Sequence, residues 1–447
     1  MAEQIVMKSL LKAIKTPKYF QTVPVIVEVA EGVEVIPVAS EITKVLNVDL
    51  GQVIPFINSF SMVIPTDFIG PLSNMQYVKR VHLDKTMYAL EGPGGLPPLP
   101  VIGDPTRLLD EMMKGPLMVE ANHGWIGTFE VNKASGLYEL HNRGFKGQGV
   151  KVWVLDTGVD QTNPQLQGIV AGAHSTTLGT PHDMNGHGTW CASRIVGQLY
   201  THPVLGLTCL GGAPECELHT VKVLTDLGFG NTSDILAGMQ MALDAGADVI
   251  SMSLGGDGDA EGEEEDLMTV FINKAAETNP HTIFCIAAGI SGSDGEKAGS
   301  TVGIPGNAEE AVTVGALSLV DMVRAYYSST GPTLQAKRVK PDIMGIGGGL
   351  AKSGGKKGVG DLFSGSAFGS QLDPTDYLID GWAVLKGTSM ATPEVAAVLA
   401  LWHQVTGKML TARDAKTIFA KFGLPKTNEY GFGMLNATWI LQALGQA

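Results

Sequence analysis

From Gly149 onward the sequence alternates short apolar runs with stretches of helical or loop composition, and this alternation constrains the fold more than any other feature. Four runs define it: VKVWVLD (150–156), ELHTVKVL (217–224), ADVISMSL (247–254) and TIFCIAAG (282–289). Apolar runs this short, rich in Val and Ile, read as buried strands, and strands that alternate with helices predict a parallel α/β sheet. Such sheets bind ligands at the carboxyl ends of their strands. The residues that close these runs are therefore the first place to look for a site.

The first ninety residues read as a unit of their own. VPVIVEVA (23–30) and QVIPFINSFSMVIP (52–65) have the β-branched content of strands, the second run being long enough for a hairpin, while 38–47 and 66–75 suit helices. With a last strand at VKRVHLD the order is β-α-β-α-β, a small α+β sandwich of the ferredoxin-like type. EGPGGLPPLPVIGDP (91–105) then crowds proline with glycine and reads as linker. The expected division is 1–90, a linker over 91–121, and a large α/β domain over 122–447. A chain of 447 residues, 44% hydrophobic, has ample material for both cores.

Composition excludes some functions. A net charge of −14 is wrong for a nucleic-acid partner, which calls for clustered Lys and Arg. The longest apolar run, VAAVLALW (395–402), is far shorter than a membrane span. Lysines interrupt the apolar residues of the first twenty, which predicts a cytoplasmic or otherwise intracellular protein, with secretion as the alternative. Four cysteines are too few for a disulfide framework; Cys209 and Cys216 either close a small loop or stay reduced. DGDAEGEEED (257–266) reads as a solvated acidic loop.

Three segments carry chemistry. VLDTGVD ends a strand with Asp156, NGHGTWCASRI sets His187 between glycines at a helix start, and KGTSMATPEVAAVLAL sets Ser389 at the start of a long apolar helix. A serine hydroxyl becomes a competent nucleophile when an imidazole takes its proton, and a carboxylate orients that imidazole and stabilises its cation. At a helix start, free N–H groups and the helix dipole face the oxyanion formed on attack. Singly, each segment has an ordinary explanation as a turn, a surface histidine or a helix cap; together they point to acyl transfer.

The set resembles the subtilisin-like serine proteases, the subtilases, in which the chain order is Asp, His, Ser. SLGG (253–256), YSSTGPT (327–333), KPDI (340–343) and YGFGMLNA (430–437) also resemble strings of that family, and residues 20–90 resemble its inhibitory prodomain. The resemblance implies a serine endopeptidase made as a zymogen, acting on polypeptides and inhibited by its own prodomain. It needs no cofactor for catalysis, with structural calcium possible. Asp156 would orient His187, the general base and then acid, and Ser389 would be the nucleophile. Ser253, Leu254, Gly255, Gly256, Ala288 and Gly289 would bind substrate, the first four as a strand edge. TMYALEGPGG would hold the self-cleavage point, with Leu90 before the cut. YAL then suggests an apolar substrate preference, although the acidic loop after SLGG would favour basic residues.

The chain departs from the family at several positions. Where subtilases have AAGN, with an oxyanion-binding asparagine, this chain has Ala287, Ala288, Gly289 and Ile290, and isoleucine has no donor. The Ser389 N–H and the Thr388 hydroxyl would remain to stabilise the charge. Gln165 stands where the family often has a calcium-binding aspartate, and 197–212 replaces the usual calcium loop, so that one family site is expected to be lost. A long insertion over 345–382 is placed to overhang the cleft; its GGKKG lacks the spacing of a phosphate loop. Two other readings fit the residues: an impaired subtilase fold that binds peptides or its own prodomain, and an exopeptidase or peptide ligase.

Overall fold

The structure is a computed structural model and describes residues 7, 10–11, 14–15, 22–90, 124–258, 262–292, 299–353, 359–370, 372, 377–379 and 381–446. The expected linker, through residue 121, and the GGKKG run lie outside these residues.

All four apolar runs form strands of one parallel sheet. They are β7 (Lys151–Asp156), β11 (Glu217–Lys222), β13 (Val249–Met252) and β15 (Ile283–Ala287). With β8 (Val170–Ser175), β16 (Val312–Leu317) and β17 (Ile343–Ile346) they give a seven-stranded order β17-β16-β15-β13-β7-β11-β8. Alternate side chains go to opposite faces. Val152 and Val154 join one buried cluster with the helices α5 (His187–Val196) and α8 (Thr388–Val405). Trp153 and Leu155 join another with α6 (Thr232–Asp244) and α7 (Leu267–Thr278). Every residue of α8 from Thr388 to His403 is buried, which is why that helix reads apolar all round. The short helices α3 (Thr128–Ala134) and α4 (Leu137–Asn142), and α9 (Ala412–Phe422) and α10 (Trp439–Ala443), complete this domain. No helix among the described residues is long and apolar enough to cross a membrane.

The N-terminal unit has the expected order. Strands β1 (Thr22–Val29), β2 (Leu50–Ile54), β3 (Ser59–Pro65) and β4 (Val78–Leu83) form an antiparallel sheet in the order β2-β3-β1-β4, and the hairpin is β2–β3. Helix α1 (Val35–Leu46) starts three residues before the expected 38, and 66–75 holds a 3₁₀ turn followed by α2 (Ile69–Ser73), since Gly70 and Pro71 are poor helix residues. Val25 and Val27 face the unit's own core, whereas Ile26 between them joins the cluster of α6 and α7. The open face of the small sheet is thus covered by the large domain. The rings of Phe56 and Phe271 lie 4.6 Å apart, and Phe56 N–H donates to Gln240 Oε1 at 2.9 Å. Asp84 accepts from the Ser233 N–H at 3.0 Å and hydroxyl at 2.7 Å, satisfying a free donor in the first turn of α6. Burial in this contact pushes the Asp84 carboxyl up to about 6.

Beyond β4 the chain runs on as β5 (Thr86–Ala89), which leaves its own unit. It lies between β12 (Phe229–Asn231) and β14 (Leu254–Gly255) of the large domain, antiparallel to both.

The acidic loop departs from expectation, and the open alternatives for the cysteines and the insertion are decided. The acidic loop is not solvated over its second half: Glu263 is buried and accepts from Leu334 N–H at 3.1 Å, and Glu264 holds Arg338 in two bonds of 2.5 Å. Asp266 caps α7 by accepting from Met268 N–H at 3.1 Å. Arg338 and the Leu334 N–H, both distant in sequence, and the local Met268 N–H take up the charge. Of the two alternatives for Cys209 and Cys216, the reduced one holds: all four cysteines are free and buried. The described part of the insertion packs beside the loop that leads into His187. It forms β18 (Leu362–Gly365), β19 (Tyr377–Ile379) and β20 (Trp382–Leu385), which with β6 (Ile126–Gly127) make a sheet β19-β20-β18-β6. A hairpin of β9 (Tyr200–Thr201) and β10 (Thr208–Cys209) packs beside it, Tyr200 stacking on Trp382 at 4.7 Å. The insertion backs the loop before His187: Ser366 Oγ donates to Gly186 O at 3.0 Å and Leu372 N–H to Asn185 O at 3.1 Å. Gly186 has φ 107°, and a side chain there would strike the Ser366 and Ser370 hydroxyls.

Candidate active site

Asp156 is the last residue of β7, His187 the first of α5 and Ser389 the second of α8, so the parallel topology gathers all three at one edge of the sheet. His187 Nδ1 lies 2.7 Å from Asp156 Oδ1, with both residues buried. The same carboxylate oxygen accepts from Thr157 N–H at 2.7 Å. Asp183 builds the turn into α5, accepting from Gly186 N–H at 2.9 Å and Thr189 N–H at 2.9 Å. Sequence reasoning missed Asp183, although an aspartate four residues before a glycine-flanked histidine is a visible signal.

Burial alone would lower the His187 pKa, but the Asp156 carboxylate hydrogen-bonded to the ring raises it well above the ordinary value. Cys191 sits one helical turn on, its Sγ 3.9 Å from Nδ1. Burial pushes that thiol up to about 11, so it is a neutral neighbour at pH 7. Asp156, His187 and Cys191 bring their ligand atoms within 4.8 Å of one another, but the Asp156–His187 hydrogen bond already uses two of the three.

His187 and Ser389 do not bond each other. His187 Nε2 has no hydrogen-bond partner among the described residues. The Ser389 hydroxyl instead meets the carbonyl oxygen of Leu90 and that of Ser253, the latter at 3.0 Å. The cause is visible, because the peptide group of Leu90 lies on the serine. Ser389 N–H also points to the Leu90 oxygen at 3.4 Å, the geometry of an oxyanion donor. The Ser389 carbonyl is itself anchored. Pro393, four residues on, has no N–H to give it, and it accepts from Ser253 Oγ at 3.0 Å and Cys191 Sγ at 3.7 Å.

The expected substrate strand is only partly as foreseen. Ser253 O accepts from Leu90 N–H at 3.2 Å, Leu254 pairs with Ala89, and Gly255 with Tyr88. Gly256 exchanges backbone bonds with Ile304 and meets the segment by space alone, since a side chain there would strike the sulfur of Met87. The opposite wall, β12, went unrecognised in the sequence; Gly228 O accepts from Ala89 N–H at 2.9 Å. Ala288 and Gly289 do not bond the segment. Ala288 N–H donates to Val314 O, while Gly289 O accepts from Ser329 N–H at 3.0 Å and from the Thr388 hydroxyl at 3.2 Å. The Thr388 hydroxyl is thereby committed away from the Leu90 oxygen. Gly289 has φ 113°, with Ser329 Oγ packed where a side chain would go, so the turn is built on glycine. Ile290 follows it, half-buried against the main core.

Gln165 answers the question of a cation at its position. It is buried, its Nε2 donates to Gln198 O at 3.1 Å, and its Oε1 accepts from Gly365 N–H at 2.9 Å. Both ends of a neutral amide are satisfied by backbone, joining the loop after α5 to β18. These residues do not fit a calcium ion there.

The sequence profile of the subtilase family matches residues 147–433. Serine protease AprX of Bacillus subtilis (strain 168) is 34% identical over 312 residues, 65% of this chain and 66% of AprX, so the chain spans just under two thirds of that relative. An intracellular serine protease of Paenibacillus polymyxa is 32% identical over 266 residues, 58% of this chain and 68% of the relative. A subtilisin of Bacillus pumilus is 33% identical over 301 residues, 66% of this chain and 92% of the relative. The match covers every strand of the parallel sheet and all three residues gathered at its edge, and the chain belongs to the subtilase family.

Proposed function

We propose that this chain is a serine endopeptidase made as its own inhibited precursor, with Asp156, His187 and Ser389 as orienter, general base and acid, and nucleophile. The observation that carries this reading is the placement of Leu90: its carbonyl lies on the Ser389 hydroxyl while Thr86–Ala89 occupy the slot between β12 and β14 as an antiparallel strand. A peptide held in this way presents the Leu90 carbonyl to attack, so the cut falls between Leu90 and Glu91. Residues 1–90 then act as the inhibitory prodomain, with 122–447 as the catalytic domain. In the reaction, Ser389 Oγ attacks the carbonyl carbon as His187 Nε2 takes its proton. The oxyanion is met by the Ser389 N–H, and His187 returns the proton to the leaving amine.

Substrate preference follows the same segment. Met87 is buried, Tyr88 exposed, and the Leu90 side chain lies over Gly255, so apolar residues suit the first and fourth positions before the cut. An intracellular setting belongs to this reading and is supported by the four unpaired, buried thiols. Ile290 supports the rival reading, a subtilase fold that binds its prodomain without useful turnover.

The test is to incubate the full chain, follow its intact mass, and label it with a fluorophosphonate. Cleavage after Leu90 with labelling of Ser389, both absent in Ser389→Ala, is the expected result. A chain that stays whole and unlabelled on long incubation would favour the binding reading. Product masses from a long denatured substrate separate internal cuts from terminal trimming or joining.

A further inference from the structure

Lys85 is the sixth residue before the proposed cut, and it belongs to the tail rather than to the N-terminal sheet, whose last strand ends at Leu83. Its backbone is held by the large domain: Lys85 O accepts from Thr232 N–H at 2.8 Å and from the Thr232 hydroxyl at 3.2 Å. From there the chain is bonded without a break to Leu90, through the pairings of Thr86, Met87 and Tyr88 with β12 and of Tyr88 and Ala89 with β14. A peptide following this track has no freedom of register, so the side chain six residues before the cut always arrives at one place.

That place is Asp266. Lys85 Nζ lies 3.3 Å from Asp266 Oδ2, and the Asp266 side chain is only 5% exposed. Asp266 divides its oxygens, Oδ1 capping its own helix α7 and Oδ2 facing the lysine. The carboxylate is part of the large domain and stays when the tail leaves. We infer that Asp266 forms a substrate subsite for a basic side chain at the sixth position before the scissile bond. The inference rests on the proposed protease reading and on substrates following the path of residues 85–90. It assigns the acidic loop a part in selecting substrates, beyond the apolar contacts nearer the cut. Lys85 is itself partly exposed, so the discrimination is modest, about threefold to tenfold between lysine and alanine.

The experiment uses the full chain after incubation for self-processing. It receives an equimolar mixture of three peptides, X-Thr-Met-Tyr-Ala-Leu-Glu-Gly-Pro-Gly-Gly with X as Lys, Ala or Glu, and the cuts after Leu are read by mass spectrometry. The expected order is Lys, then Ala, then Glu. Asp266→Asn should bring the three rates together, and Asp266→Lys should invert the order, a result that a damaged protein cannot mimic. Equal rates in the parent, or an order unmoved by Asp266→Lys, would overturn the subsite while leaving the protease reading intact. No cut after Leu in any peptide would overturn both.

Discussion

Ile290→Asn is the perturbation that bears most directly on turnover. Among the described residues one N–H, that of Ser389, points to the Leu90 oxygen, and at 3.4 Å it is long for a hydrogen bond. The Thr388 hydroxyl is spent on Gly289 O, and Ser291 N–H donates to Ser329 Oγ at 3.0 Å, so neither neighbour fills the gap. A carboxamide at position 290 adds one donor that acts on the charge developing in the transition state, worth about 10²–10³ in turnover, or about 2.7–4 kcal/mol. The effect belongs in kcat with KM nearly unchanged, because the ground-state carbonyl gains far less from it than the oxyanion. The substitution also removes a half-buried side chain from the edge of the main core, which costs about 1 kcal/mol of stability. Activity and stability should thus move in opposite directions. The assay is the first-order rate of cleavage after Leu90 in the full chain, with Ser389→Ala as the blank, followed by steady-state kinetics on a peptide ending in Tyr-Ala-Leu before the cut. A folded Ile290→Asn protein whose rates are equal to or below the parent's would refute the reasoning, for it would mean that another group already completes the oxyanion hole.

Two further outcomes follow from buried charges. The His187 pKa is raised above 6.5 by Asp156, against the effect of burial. The occluded state therefore gains stability from the imidazolium that is fully present below about pH 6.5 and fades as pH rises through the raised value. Self-cleavage needs the neutral ring, so its rate should climb about tenfold per pH unit to a midpoint above 6.5; a midpoint at or below 6.5 in a pH-jump series would contradict this. Arg194 and Glu394 are a fully buried pair at 3.8 Å, so Glu394→Ala should lower stability by about 3–5 kcal/mol in urea. The joint change Arg194→Met with Glu394→Leu should recover most of that loss, and failure to recover would show that the pair does more than neutralise itself.

The legible parts of this chain were those in which one residue type serves one local purpose. Buried parallel strands announce themselves as apolar runs, and 150–156, 217–224, 247–254 and 282–289 all became strands of the sheet. Asp156, His187 and Ser389 stood out because their flanking glycines and helix-start residues form compact strings. What stayed hidden depends on partners far away in sequence. Asp266 reads as one more acid in a run of acids until Lys85, 181 residues earlier, is seen beside it. The Thr388 hydroxyl could not be placed without knowing that Gly289 O turns toward it. Strand β12 escaped notice because three residues containing a glycine carry no periodic signal, and they become a strand only when β5 lies against them.

A polar seam through the apolar interface of α5 and α8 gives these separate observations a common physical setting. Two helices packed by methyl groups alone can repack in several nearly equivalent ways. Here Pro393 frees the Ser389 carbonyl, which Cys191 of α5 and Ser253, between β13 and β14, both contact. Further along, Arg194 of α5 faces Glu394 of α8, whose other oxygen accepts from Ile346 N–H of β17 at 2.5 Å. Each of these contacts exists in one register of the two helices only. A slide of either helix would leave a buried carbonyl, guanidinium or carboxylate without its partner, at a cost of several kcal/mol for the charged groups. The helix that presents the histidine and the helix that presents the serine are thereby fixed to each other, and to Ser253 beside the strand that pairs with residues 88 and 89.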